Sequence, residues 1–350
     1  MGGADVRREE ILFDRPEDLS ARAPPEERGL ARDEVRLLVS TPEEDRHRRF
    51  RDLPDLLTPG DLLVVNESAT LPAALEGRGT FGAFRVHLST RYGERLWLAE
   101  PRWSSERPGP LPLAPGDAFD LAGVRARVVG EFPGQPRLLF LALAAPIDAA
   151  VRAAGRPIHY AYVARDYPLE RYQTVFARVE GSAEMPSAAR PFSARVVRAL
   201  AARGIAIAPI VLHTGVSSLE VTCERVEDAP MYPEPFAVPA STVAAIERTR
   251  GRGGRVVAVG TSVVRALESA WDGERVRPVR GFTRLFVRPG RPVRSFDALL
   301  TGLHDSASSH LALLGAFVGA PRLRRAYRTA VDAGYLWHEF GDSHLLVRAS

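Results

Sequence analysis

The stretch "RVVAVGTSVVRALESA", residues 255–270, is the part of the sequence that decides the fold class. Its first half is an apolar run that predicts a buried strand, and Gly260 ends that run. Thr261 and Ser262 then supply helix-capping side chains, and the apolar spacing after them predicts a helix. A strand that turns directly into a helix is the repeating unit of a largely parallel α/β sheet.

The segments on either side of this stretch follow the same alternation. "SARVVRALAARG" (193–204) and "PASTVAAIERTRG" (239–251) each show a helical pattern that ends in Gly, and "IAIAPIVLH" (205–213) between them is an apolar strand. Earlier in the chain, "EVRLLVS" (34–40) and "GDLLVVNES" (60–68) also have the composition of strands. The sequence therefore predicts a mostly parallel sheet with helices on its faces.

One region departs from this alternation. Between Arg78 and Leu143 the chain contains five short β-like runs, separated by Gly and Pro turns and without a helical pattern. Such a region predicts a small antiparallel barrel. The fold class is therefore predicted as α/β with an inserted antiparallel β-barrel domain. We expect residues 1–75 and 146–350 to form the catalytic α/β domain, and residues 76–145 to form the barrel.

Composition excludes several kinds of chemistry. The single cysteine, Cys223, excludes an internal disulfide framework and a cysteine-based zinc site, and we expect no metal. All 47 basic residues are Arg, so a lysine Schiff base and a P-loop lysine are impossible. No apolar run approaches the roughly 18 residues of a membrane span. We expect a cytoplasmic monomer that does not bind a membrane.

Two predicted strands end in small polar segments. Gly260 ends one strand, and His213 ends another in "VLHTGVSSLEV" (211–221). Because ligands of parallel sheets lie beyond the carboxyl ends of the strands, these segments predict one shared site. Arg265 and Glu268, spaced i, i+3 on the helix after Gly260, would face it. A tight turn with a surface ion pair, and a buried core histidine, are the alternatives.

Two further segments carry candidate binding residues. In "ERYQTVFARVEG" (170–181) three polar residues interrupt a strand-like run: Arg171, Gln173 and Thr174. They are either hydrogen-bonding ligands or the solvated face of an edge strand. In "LLTGLHDSASSHLALL" (299–314) His304 and two serines precede an apolar helix, as an anion site or as a capping loop. Asp342, near the end of the chain, is predicted to be a turn residue.

These segments together resemble a known family. "GDLLVVNES.TLPA.LEG", "ERYQTVFA", "LH.G" and "G.RVVAVGTS.VRALES" occur in that order, followed by "D.LLT..H" and a final "FGD". The chain resembles the S-adenosylmethionine:tRNA ribosyltransferase-isomerases of queuosine biosynthesis from "ILFDRP" (11–16) to its last strand. The resemblance implies an α/β domain with an inserted barrel, which agrees with the pattern described above.

The resemblance also implies a reaction. S-adenosylmethionine would serve as a ribosyl donor to the aminomethyl group of a 7-deazaguanine at the tRNA wobble position. The ribosyl part is rearranged to an epoxycyclopentanediol, and adenine and methionine leave. Removing a proton next to the sulfonium needs a base, and adenine departure needs an acid. The cation needs a carboxylate or an aromatic face nearby.

The resemblance assigns expected roles to the candidate residues. His213 or His304 would be the acid or base. The donor would be held by the turn and the helix that follows it, namely by Gly260, Thr261, Ser262, Arg265 and Glu268. The acceptor side would be shaped by Arg171, Gln173, Thr174 and Glu234.

Several positions depart from the family pattern. Ala69 and Ala74 stand where the family has Arg, and Pro191 and Tyr232 stand where it has His. The family's Lys before Ser308 is Ala307. Lost cationic side chains weaken the expected grip on tRNA phosphates. Three functions therefore remain open. They are the family reaction on tRNA, a divergent paralogue that cleaves S-adenosylmethionine or uses it with a small-molecule acceptor, and a non-catalytic binding protein.

Overall fold

The computed structural model describes residues 13–103, 109–163, 165–216 and 228–348. Within these ranges the regular elements comprise 17 strands and seven α-helices. The strands are β1 (Arg36–Ser40), β2 (Asp45–Arg49), β3 (Leu62–Asn66), β4 (Ser68–Thr70), β5 (Ala74–Gly79), β6 (Gly82–Gly93), β7 (Leu96–Arg102), β8 (Ala118–Leu121), β9 (Val124–Phe132), β10 (Gln135–Leu143), β11 (Val179–Ser182), β12 (Ala206–Leu212), β13 (Glu234–Val238), β14 (Val256–Val259), β15 (Val279–Thr283), β16 (Ala298–Gly302) and β17 (Ser343–Val347). The helices are α1 (Leu53–Leu56), α2 (Asp148–Ala154), α3 (Ala194–Ala202), α4 (Ala240–Gly251), α5 (Thr261–Ser269), α6 (Ser309–Val318) and α7 (Ala320–Asp332).

A nine-stranded sheet forms the body of the protein, in the order β15-β13-β12-β3-β14-β16-β17-β1-β2. Its four central strands, β12, β3, β14 and β16, are parallel to one another. The outer strands pair mainly antiparallel, and β1 and β17 are parallel to each other. The predicted α/β class is confirmed, with a parallel centre and a mixed periphery.

Side chains on β3 show how both faces of this sheet are buried. Leu62 and Val64 face one core together with residues of α4, α5, α6 and α7. Leu63 and Val65 face a second core together with residues of α1 and α3. Because neighbouring side chains of a strand point to opposite faces, a continuous apolar run is the pattern expected of a strand covered on both sides.

The barrel is closed by six antiparallel strands in the order β10-β7-β6-β5-β8-β9. Phe84 and Phe119 meet edge to face in its interior, with ring centroids 5.1 Å apart. Gly77 permits this packing, because a Cβ atom there would come within 2.5 Å of the Phe84 ring. The predicted antiparallel barrel is confirmed. The division into domains at residues 76 and 145 stays a prediction.

None of the helices among the described residues is long and apolar enough to cross a membrane.

Candidate functional site

A cavity of about 200 Å³ lies at the edge of the sheet where the parallel strands end. β14 leads into it at Gly260, β16 at Thr301, and β12 at Thr214. We divide its lining into two parts. The sheet wall consists of Glu234, Gly260, Thr261, Ser262, Arg265 and His304. The loop wall consists of Tyr160, Tyr162, Glu184, His338 and Glu339.

Asn66 holds the strand ends of the sheet wall together. It is the last residue of β3, and its side chain is completely buried. The Asn66 amide donates to the carbonyl of Leu212 at 2.8 Å and to the Ser262 hydroxyl at 3.3 Å. Its Oδ1 accepts from the backbone N–H groups of Leu212 and Ser68. The Asn66 side chain therefore joins the ends of β3 and β12 to the first turn of α5.

The turn that opens α5 requires glycine. Gly260 has φ +99°, a conformation that side chains with a Cβ rarely adopt. A Cβ atom there would also lie 3.2 Å from the Cβ of Ala188. The first turn of α5 then presents backbone N–H groups that have no partner within the helix. Thr261 and Ser262 line the cavity at this point, which suits an anionic or oxygen-rich group.

Arg265 and Glu234 form a buried ion pair in the sheet wall. The Arg265 Nη1 atom donates to Glu234 Oε2, and the backbone N–H of Gly215 donates to Glu234 Oε1 at 2.8 Å. Arg265 Nε donates to the carbonyl of Leu285 at 3.0 Å. The Arg265 Nη2 atom is buried and has no hydrogen-bond partner. A buried donor without a partner is costly, so this atom is a strong candidate for contact with a ligand.

His304 contributes a neutral imidazole to the sheet wall. Its Nε2 lies 2.8 Å from the Thr301 hydroxyl, and its ring centroid lies 4.8 Å from that of His310. Burial holds the pKa of His304 well below its usual range, and the neighbouring His310 lowers it further. Burial lowers the pKa of His310 to about 4. Both rings are therefore neutral near pH 7 and can accept a proton.

Three aromatic rings are stacked in the loop wall. The ring of Tyr162 lies parallel to that of His338, with centroids 3.9 Å apart and planes at 12°. The ring of Tyr160 is also stacked with that of Tyr162, with centroids 5.7 Å apart and planes at 19°. His338 reaches this position from a backbone with φ +74°. Its imidazole is fixed by Asp305 at 3.4 Å and by the Ser20 hydroxyl at 3.3 Å.

Two carboxyl groups accompany the stack. The hydroxyl of Tyr160 donates to Glu184, and the hydroxyl of Tyr162 donates to Glu339. Burial raises the pKa of the Glu339 carboxyl, although the Tyr162 hydrogen bond partly opposes that shift. Burial and the adjacent Glu339 raise the pKa of the Tyr162 hydroxyl. The loop wall thus combines aromatic faces with two carboxyl groups, and burial raises the pKa of one of them, Glu339.

Glu268, expected to bind the donor, is not among the residues that line the cavity. It is 4% exposed. Its Oε1 accepts from the backbone N–H groups of Arg294 and Ser295 at 2.9 and 2.8 Å, and from the Ser295 hydroxyl at 2.7 Å. The i, i+3 spacing predicts that Arg265 and Glu268 face the same way, but Glu268 instead anchors the loop before β16.

His213 also lies outside the lining of the cavity. Its Nδ1 is 2.8 Å from the Ser68 hydroxyl, and its ring packs where a Cβ atom of Gly181 would stand. Burial lowers the pKa of His213. Its neighbours Thr214 and Gly215 do line the cavity. The end of β12 thus reaches the cavity, whereas the imidazole of His213 packs against β4 and β11.

The three residues expected on the acceptor side have structural partners instead. Arg171 forms ion pairs with Glu26 and Glu27. Gln173 pairs with the backbone of Thr70 through both its amide oxygen and its amide nitrogen, at 3.0 and 2.8 Å. Thr174 accepts a hydrogen bond from a backbone N–H two residues further on. None of the three lines the cavity, although Tyr172 between them does.

The sequence analysis did not identify the loop wall. Its residues come from the segments "HYAY" (159–162), "SAE" (182–184) and "WHEFGD" (337–342), which lie far apart in the chain. Asp342, predicted as a turn residue, does bind backbone N–H groups of Arg36 and Leu336. Within the described ranges, no three His, Cys, Asp or Glu residues are grouped to hold a metal ion.

Comparison with known proteins gives consistent matches over almost the whole chain. A family model described as "Queuosine biosynthesis protein" matches residues 8–346. S-adenosylmethionine:tRNA ribosyltransferase-isomerase from Anaeromyxobacter sp. (strain Fw109-5) is 40% identical, covering 98% of this chain and 100% of the relative. The enzyme of that name from Rhodospirillum rubrum is 38% identical, covering 96% and 97%. The crystal structure of S-adenosylmethionine tRNA ribosyltransferase from Thermotoga maritima is 28% identical with a TM-score of 0.55, covering 97% of this chain and 100% of that one.

Proposed function

Since this chain belongs to the queuosine biosynthesis protein family, we propose that it is an S-adenosylmethionine:tRNA ribosyltransferase-isomerase. In that reaction S-adenosylmethionine supplies the ribosyl group, and the acceptor is the aminomethyl group of a 7-deazaguanine in tRNA. Adenine and methionine are released. The observation that carries the proposal for this cavity is the aromatic stack of the loop wall, with its two acids, opposite the unpartnered guanidinium N–H of Arg265.

The loop wall is suited to a sulfonium cation. A cation placed over an aromatic face gains about 0.5–2 kcal/mol, the larger value applying where water is excluded. Tyr162 offers such a face, held by its stack with His338. The carboxyl groups of Glu184 and Glu339 add hydrogen-bond acceptors on the same side. We assign the positively charged end of the donor to this wall.

The sheet wall is suited to the donor's carboxylate. Arg265 Nη2 is a buried donor that lacks a partner, and the first turn of α5 adds backbone N–H groups. Both features favour an anion. The ion pair with Glu234 and the bond to the Leu285 carbonyl fix the guanidinium plane, so Arg265 is oriented before a ligand arrives.

Acid and base roles follow from position in the cavity and from the pKa shifts. His304 lines the cavity and is unprotonated near pH 7, so we assign it the role of base, although burial lowers its pKa and makes it a weaker base than a free imidazole. Glu339 lines the cavity and burial raises the pKa of its carboxyl, so we assign it the role of the acid that gives a proton to the departing adenine. This assignment keeps His304 as a catalytic candidate. It replaces His213, whose ring does not line the cavity, with Glu339.

The two alternative functions have less support. The named relatives share one activity and match the chain over nearly its full length. Arg190, one replacement within the "SAARPF" segment, is buried and paired with Glu26 over the ring of Phe340. This substitution is therefore integrated into the fold, which favours an intact enzyme over a decayed scaffold.

Incubation with S-adenosylmethionine tests the proposal directly. The pure protein is incubated with the donor, with and without a tRNA that carries 7-aminomethyl-7-deazaguanine, and released adenine and methionine are quantified by mass spectrometry. We expect equal release of both products only with the modified tRNA. A tRNA with unmodified guanine at the same position is the control substrate. Release without tRNA would support the paralogue, and no release with the modified tRNA would contradict the proposal.

Two matched variants connect the activity to the cavity. Glu339→Gln removes the proposed acid, and we expect adenine release to slow by roughly 10²-fold or more. Glu247→Gln is the control. It alters an exposed glutamate on α4 that pairs with Arg275 and lies outside the cavity, so it should leave the rate unchanged. Equal rates for the two variants would show that Glu339 does not act in the reaction.

A further inference from the structure

The lip of the cavity beside Leu285 has a composition unlike the rest of its rim. Leu285, Phe286 and Val287 line the cavity. The residues just before them, in the sequence "RGFTR" (280–284), alternate between positively charged and aromatic side chains. We call Arg280, Phe282 and Arg284 the lip triplet.

The lip triplet lies on one face of an edge strand. β15 is the terminal strand of the nine-stranded sheet, paired only with β13 among the described strands. Alternate residues of a strand point to the same face, about 6.6 Å apart. Arg280 and Phe282 share that face, and Arg284 continues the alternation one residue past the strand. All three side chains are exposed, and Phe282 is 54% exposed.

Phe282 is supported from behind by the barrel. The ring of Tyr92 lies 5.7 Å from that of Phe282, and the Tyr92 hydroxyl donates to the carbonyl of Pro233 at 2.9 Å. Tyr92 in turn contacts Phe140 of the barrel at 6.0 Å. The exposed phenyl ring is therefore one end of an ordered aromatic series, which gives it a defined orientation.

The arginines of this lip are unpaired. Among the described residues, neither Arg280 nor Arg284 forms an ion pair, and the same holds for Arg288 and Arg291 further along the chain. Four guanidinium groups within twelve residues are thus available to an anionic partner.

We propose that the lip triplet binds the single-stranded loop of the tRNA that carries the reacting base. Phe282 stacks on an unpaired base, and Arg280 and Arg284 contact the phosphates on either side. Aromatic side chains interleaved with cations are the usual means of holding single-stranded nucleic acid. Arginine matches phosphate geometry through paired N–H donors. This inference rests on the proposed function, since it places the acceptor beside the donor cavity.

Binding of the modified tRNA at several salt concentrations tests the inference. The variants are Phe282→Ala and the double variant Arg280→Gln/Arg284→Gln, with affinity measured by fluorescence anisotropy. Arg198→Gln/Arg252→Gln is the matched control, since both are exposed arginines outside the lip, and Arg198 lies on α3 across the sheet. S-adenosylmethionine affinity is measured by calorimetry for every variant and should not change.

The two lip variants should weaken binding in different ways. For the arginine double variant, we expect the slope of log affinity against log salt to fall by about 1.4, since each phosphate contact on a single strand contributes about 0.7. For Phe282→Ala, we expect roughly tenfold weaker binding with an unchanged slope, because base stacking is uncharged. The control should match the wild type in both quantities.

Two results would overturn the inference. The first is that the lip variants bind tRNA as tightly as the control variant does, while the wild type still releases adenine in the presence of modified tRNA. The proposed function would then hold, but this surface would not bind the tRNA. The other is variants that form dimers on size exclusion with unchanged tRNA affinity, which would mean that the arginines protect a sheet edge from pairing. A wild type that releases no adenine with modified tRNA would instead contradict the proposed function itself.

Discussion

The two walls of the cavity are built in opposite ways. The sheet wall follows parallel strands to their ends, and Asn66 and the Arg265–Glu234 pair lock it in place. The loop wall is assembled from three distant loops, and its order comes from the stack of Tyr162 on His338 and from hydroxyl-to-carboxylate bonds. One wall is fixed by strand topology, and the other depends on side chains that only the folded chain brings together.

The difference also separates two kinds of chemistry. The sheet wall offers buried N–H donors, which are suited to bind an anion. It also offers the neutral imidazole of His304, to which we assign the role of base. The loop wall offers aromatic faces and acids, which suit a cation and a proton donor. A zwitterionic substrate with a sulfonium centre needs both, so we expect damage to either wall to have distinct consequences. The following predictions test that separation, beginning with the largest effect.

Replacing Arg265 by Met should destabilise the protein most. Glu234 would remain buried without its cation, which costs about 3–5 kcal/mol in the free energy of unfolding. Urea denaturation of the variant measures this loss. Arg265→Met/Glu234→Gln should recover part of it, because no buried charge is then left unpaired. Arg275→Met, which breaks an exposed pair with Glu247, should cost less than about 1 kcal/mol. Equal losses for Arg265→Met and Arg275→Met would contradict a locked sheet wall.

Lowering the pH should reduce the free energy of unfolding through protonation of His338 in the loop wall. Burial lowers its pKa from 6.5 to about 4, partly offset by Asp305. The unfolded chain therefore binds this proton more readily than the folded protein does. The stabilisation that the folded protein gains from the neutral imidazole is complete above pH 6.5 and is lost as the pH falls to 4. The loss amounts to about 3 kcal/mol. His338→Asn, which tolerates the positive φ, should show a smaller fall in unfolding free energy over that range.

Urea denaturation at several pH values compares His338→Asn with the wild type. The other buried histidines titrate in both proteins, so only the difference between the two curves reports on His338. Parallel curves between pH 4 and 6.5 would mean that this imidazole is not held neutral by the loop wall.

Replacing Glu268 by Ala should affect stability without affecting the donor. The variant leaves the backbone N–H groups of Arg294 and Ser295 without their acceptor, at a cost of about 1–3 kcal/mol. Because Glu268 does not line the cavity, calorimetry should give an unchanged affinity for S-adenosylmethionine. Glu268→Gln retains an acceptor oxygen and should lose less stability. A large loss of donor affinity in Glu268→Ala would show that Glu268 contributes to binding of the donor.

Replacing Arg171 by Ala should have the smallest effect. Its ion pairs with Glu26 and Glu27 are long, at 3.7 and 3.5 Å, and about a third of the side chain is exposed. Such pairs contribute less than about 1 kcal/mol. We expect near-normal thermal stability and an unchanged KM for tRNA. A KM raised tenfold or more would support the original assignment of Arg171 to the acceptor side.

The sequence predicted those parts of the site that depend on local pattern. A strand that ends at Gly260 and turns into a helix is visible in a single segment, and parallel order brings it beside the end of β16 and His304. The direction of a side chain after such a strand is set by its partners. Arg265 and Glu268 lie one turn apart on α5, yet Arg265 meets Glu234 of β13 whereas Glu268 meets two backbone N–H groups of the loop before β16.

The loop wall could not be predicted in the same way. Tyr162 and His338 are separated by 176 positions, and nothing in either segment signals that the two rings stack. The positive φ of His338 arises from the packing of the final loop, and no glycine marks the position. Tertiary contacts between loops are what distinguish this wall from the strand ends.

The relative affinity for a sulfonium and for a thioether tests the central claim most directly. Calorimetry compares S-adenosylmethionine with S-adenosylhomocysteine, which lacks the methyl group and the positive charge, in the wild type, Tyr162→Phe and Tyr162→Leu. The account predicts a roughly tenfold preference for the sulfonium in the wild type, retained with Phe because the ring remains, and lost with Leu. A wild type without this preference, or a Tyr162→Leu variant that keeps it, would contradict the assignment of the cation to the loop wall.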